Sequence, residues 1–182
     1  ESSDHDTASG HEAAFLVSQA AQSLLWLQQA NFTTLLSQLS SQQEQWVVDQ
    51  IIAAGHCPAI LRSDPNAELS ILNCIGAMAA ESRNCAQMLV SQNAHLLVKA
   101  FNARRPNVKK GLWVFYTLAC SNTSRSKMVL QDDVLDHVLS LMRHYLEDLE
   151  MLGGFANLIA RLLTWDGPNV PQSMANARTR AR

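Results

Sequence analysis

The 182-residue chain has few of the residues that interrupt helices. It contains only seven glycines and five prolines. No segment shows the regular alternation of apolar and polar residues that is typical of a half-buried β-strand. Leucine, alanine, glutamine, methionine and serine dominate the apolar segments, and all of them are compatible with helix. With 47% hydrophobic residues, the composition predicts one soluble all-α domain with a sizeable core.

The chain also lacks a long apolar run. The longest nearly uninterrupted one, Gly111 to Cys120, has about half of the roughly 20 residues that a membrane-spanning helix needs. No targeting segment is visible, so we expect no membrane segment in this chain. Because it begins with Glu1 rather than Met, the chain is expected to be a processed product or a fragment of a longer protein.

Close cysteine pairs of the kind found in zinc ribbons and redox motifs are missing. Cys57, Cys74, Cys85 and Cys120 are scattered through apolar segments. Thiols in such positions are expected to be buried and reduced. Reduced thiols favour a cytoplasmic or nuclear location.

Common enzyme motifs are absent as well. The sequence has no glycine-rich phosphate loop, no His-Glu-x-x-His motif and no Gly-x-Ser-x-Gly motif. His137 and His144 are seven residues apart, with Asp133 and Asp136 nearby, so a metal site is conceivable there. Ordinary surface or buried histidines are the commoner explanation. The sequence predicts a non-enzymatic protein that needs no cofactor or metal.

What the chain does contain is an internal repeat. The segments that begin at Ile51, Leu89 and Val129 each have an apolar pair, a short polar corner and a second apolar run. They start 38 and 40 residues apart. Between them lie other apolar segments, whose anchors Leu72, Trp113 and Leu158 are 41 and 45 residues apart. Two features therefore share about one period, which is in the range of helical solenoid repeats.

Helical periodicity and the positions of glycine and proline predict the organisation of the chain. Residues 1–10 are predicted to be a disordered segment and 11–42 to form N-terminal helices, either a cap or a partial repeat. Residues 43–166 contain the repeats, and 167–182 form a flexible polar tail. Gly55 is expected to form the corner between two helices. The predicted helices are His11–Ala30, Phe32–Leu39, Gln43–Ala54, His56–Arg62, Ala67–Ala80, Arg83–Val90, Ala94–Asn102, Pro106–Ala119, Ser124–Leu130, Val134–Tyr145 and Leu149–Leu163.

Two of the segments resemble a known family. The stretch from Ile51 to Leu61 looks like the junction between the first two helices of an armadillo repeat, with an apolar pair, a Gly corner, a Pro and an aliphatic run in that order. The stretch from Trp113 to Ser121 is similar to the Trp-x-x-x-Asn segment on the third helices of the importin-α branch. This resemblance, from about Gln43 to Asp166, implies a right-handed α-solenoid of about three armadillo-like repeats with an N-terminal capping helix.

The resemblance also implies a concave groove lined by the third helices. In the importin-α branch, groove Trp side chains bracket the Lys and Arg stems of a nuclear localisation peptide, and Asn side chains hydrogen-bond its backbone. By this alignment Leu72, Trp113 and Leu158 occupy the Trp positions. Gly76, Thr117 and Leu162 occupy the Asn positions, so only one Trp and no Asn is retained.

The substituted groove predicts a different ligand. Lys109, one turn before Trp113, would repel a basic peptide. An apolar strip with aromatic anchors favours an amphipathic helix or a hydrophobic peptide of a partner protein. The predicted groove residues are Leu72, Gly76, Lys109, Trp113, Tyr116, Thr117, Leu158, Leu162 and Trp165.

A basic cluster gives the main alternative. Arg104, Arg105, Lys109 and Lys110 could contact an acidic peptide or a phosphate backbone, although a solvated loop and helix start is the commoner explanation. The net charge of −2 argues against nucleic acid as the main partner.

The function predicted from the sequence is therefore that of a protein-interaction scaffold or adaptor in transport or nuclear regulatory complexes. An importin-α-like cargo or chaperone adaptor and a nucleic-acid-associated module that uses the Arg104 to Lys110 cluster are the alternatives. The two ends of a short solenoid also offer surfaces for self-association or for a partner.

Overall fold

The computed structural model describes residues 38–102 and 107–165, together with Asn176 and Thr179. Of these described residues, 82% lie in helices and none lies in a strand, which confirms the predicted all-α class. The predictions for residues 1–37, for 103–106 and for most of 167–182 lie outside the described residues.

Nine α-helices and one 3-10 turn follow one another along the described part of the chain. The helices are α1 (Ser41–Gly55), α2 (Pro58–Ser63), α3 (Ala67–Glu81), α4 (Arg83–Ser91), α5 (Ala94–Asn102), α6 (Val108–Leu118), α7 (Asn122–Leu130), α8 (Val134–Met142) and α9 (Leu149–Leu163), and the 3-10 turn is Arg143–Tyr145.

Most predicted helix bounds agree with these to within two residues. The largest difference is at the end of α8, where the last predicted turn tightens into the 3-10 conformation that often ends helices. The helix predicted for Phe32–Leu39 was too long, because Gln38 lies in a turn and Leu39 is not helical. The rest of that segment lies outside the described residues.

Polar side chains cap several helix starts. The Ser82 hydroxyl accepts the backbone N–H of Cys85 at 3.0 Å, and the Ser121 hydroxyl accepts that of Ser124 at 3.1 Å. Each bond satisfies a donor that the first turn of a helix leaves unpaired. The Ser121 cap is the reason that α7 begins two residues before the predicted Ser124.

The prediction that Gly55 forms a corner was wrong. Gly55 is the last residue of α1, and no described glycine has a positive φ. A Cβ on Gly55 would lie 2.5 Å from Leu97 Cδ1. Glycine is therefore required here because α5 approaches α1 closely. The corresponding corners farther along the chain contain Asn93 and Asp133, with φ of 65° and 52°. Short polar side chains tolerate this left-handed region better than others do.

The helices pack in the order in which they occur. The long helices α3, α6 and α9 lie side by side with α6 in the middle. In the same way, α4 contacts α1 on one side and α7 on the other. The shorter helices α5 and α8 each pack against the long helix that follows them. One continuous core results, in which Leu72, Phe115 and Phe155 are completely buried.

Partly buried polar contacts join α4 and α5 to α7 and to the segment between α7 and α8. His95 Nε2 lies 2.7 Å from Asp132 Oδ2, and the His95 side chain has no exposed surface. Lys99 donates to the Asp132 carbonyl at 3.2 Å, and Lys127 donates to the Val90 carbonyl at 3.0 Å. These bonds join residues more than 30 positions apart. They therefore fix the position of α4 and α5 relative to α7 and α8.

All four cysteines are free thiols, and Cys74 and Cys85 are buried. Burial raises the pKa of Cys74 to about 12, which keeps it an unreactive thiol at neutral pH. Cys57 and Cys120 are only half-buried, so the expectation of burial is met in part. No helix of the described residues combines the length and apolar character needed to cross a membrane.

Two histidines make the stability of this fold sensitive to acid. Burial lowers the pKa of His95, Asp132 partly opposes this shift, and Lys127 and Lys99 add to it. Burial and the charge of Lys99 lower the pKa of His137. The unfolded chain therefore binds these protons at a higher pH than the folded chain does. Their contribution to stability is full above the usual histidine pKa of 6.5 and is lost as the pH falls below it.

We expect the thermal unfolding midpoint to fall as the pH is lowered from 7.5 to 5. Replacing both histidines with His95→Gln and His137→Gln should flatten this dependence. His144→Gln, which removes an exposed histidine from the 3-10 turn, is the matched control. A profile that keeps its full slope in the double variant would contradict the assignment. Differential scanning calorimetry over this pH range provides the measurement.

Candidate functional site

A groove runs between the exposed faces of α6 and α9. Its volume is about 840 Å³, which is within the range of protein ligand pockets. We call it the α6–α9 groove. The residues that line it are Lys109, Lys110, Leu112, Trp113 and Tyr116 from α6 and Glu150, Met151, Gly154 and Asn157 from α9.

The packing of α6 decides which of its side chains reach the groove. Val114, Phe115 and Leu118 have no exposed surface, so they turn one face of the helix into the core. Trp113 and Tyr116, three residues apart and therefore neighbours on one helix face, remain 39% and 45% exposed. Two large aromatic side chains from one turn of α6 thus line the groove.

The Trp113 indole covers Gly76 of α3. A Cβ on Gly76 would lie 2.6 Å from Cη2 of Trp113, and closer still to another atom of the ring. Real Cβ atoms do not make such contacts, so glycine is required for the ring to lie against α3. Gly76 itself is buried. Gly76 therefore positions the Trp113 ring and does not form part of the groove surface.

Lys110 lies over the ring of Trp113. Its Nζ is 3.9 Å from the centroid of the Trp113 ring, a distance at which an ammonium group is attracted to the indole face. Partial burial of the side chain lowers the pKa of Lys110. One face of Trp113 is thus already occupied by a cation from the chain itself.

Lys109 is paired across the groove. Its ammonium donates to the Glu150 carboxylate, which joins the first turns of α6 and α9. The hydrogen bond and the negative charge of Glu150 raise the pKa of Lys109. Because the two side chains are 73% and 76% exposed, the pair adds little stability, as exposed ion pairs generally do. Its charges cancel at this edge of the groove.

The floor of the groove is apolar, and its α9 side carries small residues. Leu112 and Met151 are both buried core residues that reach it. A Cβ on Gly154 would lie at an ordinary 3.6 Å from Leu112, and one on Gly153 would meet nothing within 4 Å. Each glycine costs a helix about 1 kcal/mol relative to alanine. Since no described neighbour requires either one, their effect is to leave open space along α9.

Three predicted groove residues were assigned wrongly. Leu72, Leu158 and Leu162 are at most 1% exposed, so they belong to the core and have no surface to offer a partner. The alignment with importin-α placed them on the groove. Their helices, however, are rotated so that this apolar stripe packs inward, which is where the hydrophobic effect is strongest.

Two more predicted residues lie away from the groove lining. Thr117 is half-buried, and its hydroxyl donates to the Val114 carbonyl of its own helix at 2.8 Å. Trp165 packs partly against the core and borders a different recess, next to Lys127 and Gln131. The structure thus brings together Lys109, Lys110, Trp113 and Tyr116 from the predicted set. Arg104 and Arg105 lie outside the described residues.

Sequence reasoning predicted Leu158 and Leu162 as the contribution of α9 to the groove and missed the residues of α9 that line it. Gly154 and Asn157 are neighbours on one helix face, and Glu150 lies one turn before them. The Gly153-Gly154 pair inside a predicted helix was the available signal, since paired glycines are costly there. Asp148 accepts the backbone N–H of Met151 at 3.0 Å and so caps the start of α9.

The histidines considered for a metal site have other surroundings. The His137 ring packs edge-on against Phe115, with 6.4 Å between the ring centroids, and His144 is exposed. Within residues 38–102 and 107–165, no group of three or more His, Cys, Asp or Glu side chains is placed to hold a metal ion.

Comparison of the chain with protein-family models, with curated proteins and with solved structures finds no match in any of the three. The interpretation of the groove therefore depends on its own geometry and chemistry.

A matched pair of glycine variants tests how the groove is built. Gly76→Ala should lower the free energy of unfolding by about 1–3 kcal/mol, because it forces the rigid indole off α3. Gly153→Ala, in open space, should raise it by up to about 1 kcal/mol. Urea unfolding measures both values, and the Gly76 variant should also shift tryptophan emission to longer wavelength. Equal stability of the two variants would contradict this description.

Proposed function

We propose that this protein is a non-enzymatic interaction module that binds a peptide or amphipathic helix of a partner protein in the α6–α9 groove. The observation that carries the proposal is the pair Trp113 and Tyr116, both exposed, beside the apolar floor of Leu112 and Met151. Tryptophan and tyrosine are among the residues that most often dominate the binding energy of protein interfaces.

The shape and polarity of the groove support this proposal. Gly154 leaves room for the side chains of a ligand along α9. Asn157 adds an exposed amide, which can both donate to and accept from a peptide backbone. An apolar floor with a polar edge is the usual anatomy of a protein interface. Binding in such a groove is noncovalent recognition.

We propose further that the helices form three armadillo-like repeats of a right-handed α-solenoid, namely α1–α3, α4–α6 and α7–α9. The third helices begin at Ala67, Val108 and Leu149, at intervals of 41 residues. The contacts of α3 with α6 and of α6 with α9 support a regular stack. Such stacks use their extended concave surfaces for binding. A scaffold or adaptor role follows from this architecture.

The groove does not favour the ligands of the alternative hypotheses. Lys110 already lies over the Trp113 ring, where its positive charge would repel a basic side chain of a localisation peptide. Lys109 is neutralised by Glu150, so the lining carries little of the positive charge that a nucleic acid requires.

Peptide selection provides a direct test. Peptides from a random phage-displayed library, selected on the immobilised protein, should depend on the aromatic pair. Trp113→Ala should weaken the selected peptides at least about tenfold, since removal of an interface hot spot has effects of this size. Trp46→Ala removes a 59% exposed tryptophan on α1 and should change affinity by less than about twofold.

Fluorescence anisotropy with labelled peptides measures these affinities, and thermal unfolding shows whether each variant is folded. Tyr116→Ala is the second variant, in case the Trp113 variant is unstable. Selected peptides that bind all the variants as tightly as the unmodified protein would contradict the proposal.

The response to salt separates this function from nucleic-acid binding. Raising NaCl from 50 to 200 mM should weaken peptide binding by less than about threefold, because apolar contacts dominate. A protein that contacts six to ten phosphates would lose roughly a thousandfold or more over the same range. Titration of a labelled oligonucleotide under both conditions provides the comparison. Tight oligonucleotide binding with a steep salt dependence would favour the alternative.

A further inference from the structure

The charges around the α6–α9 groove do not balance. Its lining contains two lysines and one glutamate. Lys109 and Glu150 pair with each other, whereas Lys110 forms no ion pair or hydrogen bond with any residue in the described ranges. Its contact there is with the Trp113 ring. One positive charge at the groove therefore lacks an anionic partner.

The location of this charge makes an anion favourable. The Lys110 side chain is half-buried beside an indole ring, and this burial already disfavours the charged form of its amine. A carboxylate brought by a ligand would be attracted more strongly here than at an exposed lysine, because less water screens the pair. Lys109, which is exposed and already paired, offers no comparable gain.

The rest of the lining limits how acidic the ligand should be. Leu112, Trp113 and Met151 require apolar side chains, and the Glu150 carboxylate at the edge would repel a densely acidic segment. With one lysine left unpaired among the groove-lining residues, a single carboxylate completes the charge balance.

We infer that the occupant of the α6–α9 groove is an acidic amphipathic segment of a partner protein, which packs apolar side chains on the floor and pairs an Asp or Glu carboxylate with Lys110. This inference rests on the proposed function and adds the chemistry of the ligand to it. Lys110 is then the residue that selects the charge of the ligand, while Trp113 and Tyr116 supply most of the affinity.

The composition of the peptides selected on the unmodified protein is the first test of the inferred acidic ligand. Peptides whose binding requires Trp113 should be enriched in sequences that place Asp or Glu near an aliphatic or aromatic residue. Enrichment in Lys or Arg, or no charge preference among these peptides, would overturn the inference and leave the proposed function intact. A selection without any peptide that depends on Trp113 would overturn both.

A double-mutant cycle then tests the contact with Lys110 itself. Lys110→Gln should weaken a selected Glu-containing peptide by about fivefold, as expected for a partly buried ion pair. Replacing that Glu with Gln in the peptide should cost about as much on the unmodified protein and almost nothing on the Lys110 variant. Anisotropy titrations measure all four combinations, and independent, additive losses would overturn the pairing.

The control separates a local contact from net charge. Arg62→Gln removes one positive charge from α2, whose residues do not line the groove, and should leave peptide affinity unchanged within about twofold. Lys110→Arg, which keeps the charge, should retain preference for the acidic peptide over its Gln form. An effect of Arg62→Gln as large as that of Lys110→Gln would show that the preference comes from overall charge and would overturn the inference.

Discussion

Helix α6 packs between α3 and α9, and this packing determines which of its side chains reach the α6–α9 groove. Val114, Phe115 and Leu118 are buried completely, which sets the rotation of the helix about its axis. With that rotation set, Trp113 must leave α6 along its border with α3, where Gly76 provides the space for the indole. The groove thus depends on the close approach of two helices.

Polar side-chain contacts fix how neighbouring helices are positioned relative to one another. Asn107 Nδ2 donates to Glu68 Oε2 at 2.8 Å, in a buried bond that joins the start of α6 to the start of α3. His95 and Asp132 make a similar link between the later helices. A buried polar group that loses its partner is costly, so these bonds disfavour any sliding of one helix along another. The apolar contacts alone would discriminate less, because they are not directional.

The α6–α9 groove combines two kinds of surface. Its floor belongs to the same apolar core that holds the helices together, and its edge carries the Lys109–Glu150 pair and the Lys110 ammonium. A stable core and a binding surface can therefore be built from one helix, since its two faces differ in exposure. This also explains why a mutation at Gly76 is expected to disturb the Trp113 ring and with it the groove, whereas one at Gly153, which does not line the groove, is not.

Much of the secondary structure could be predicted from the sequence, because helical periodicity and capping are properties of short segments: α5 and α9 have the predicted bounds. Their contacts depend on residues far apart. Lys109 and Glu150 are 41 positions apart, and the space above Gly154 exists only because α6 lies beside α9. Periodicity showed that Leu158 and Leu162 lie on an apolar stripe, but it could not show whether that stripe meets the core or a ligand. That distinction depends on which face each helix turns to its neighbours, and this follows from contacts between helices that are distant in the sequence.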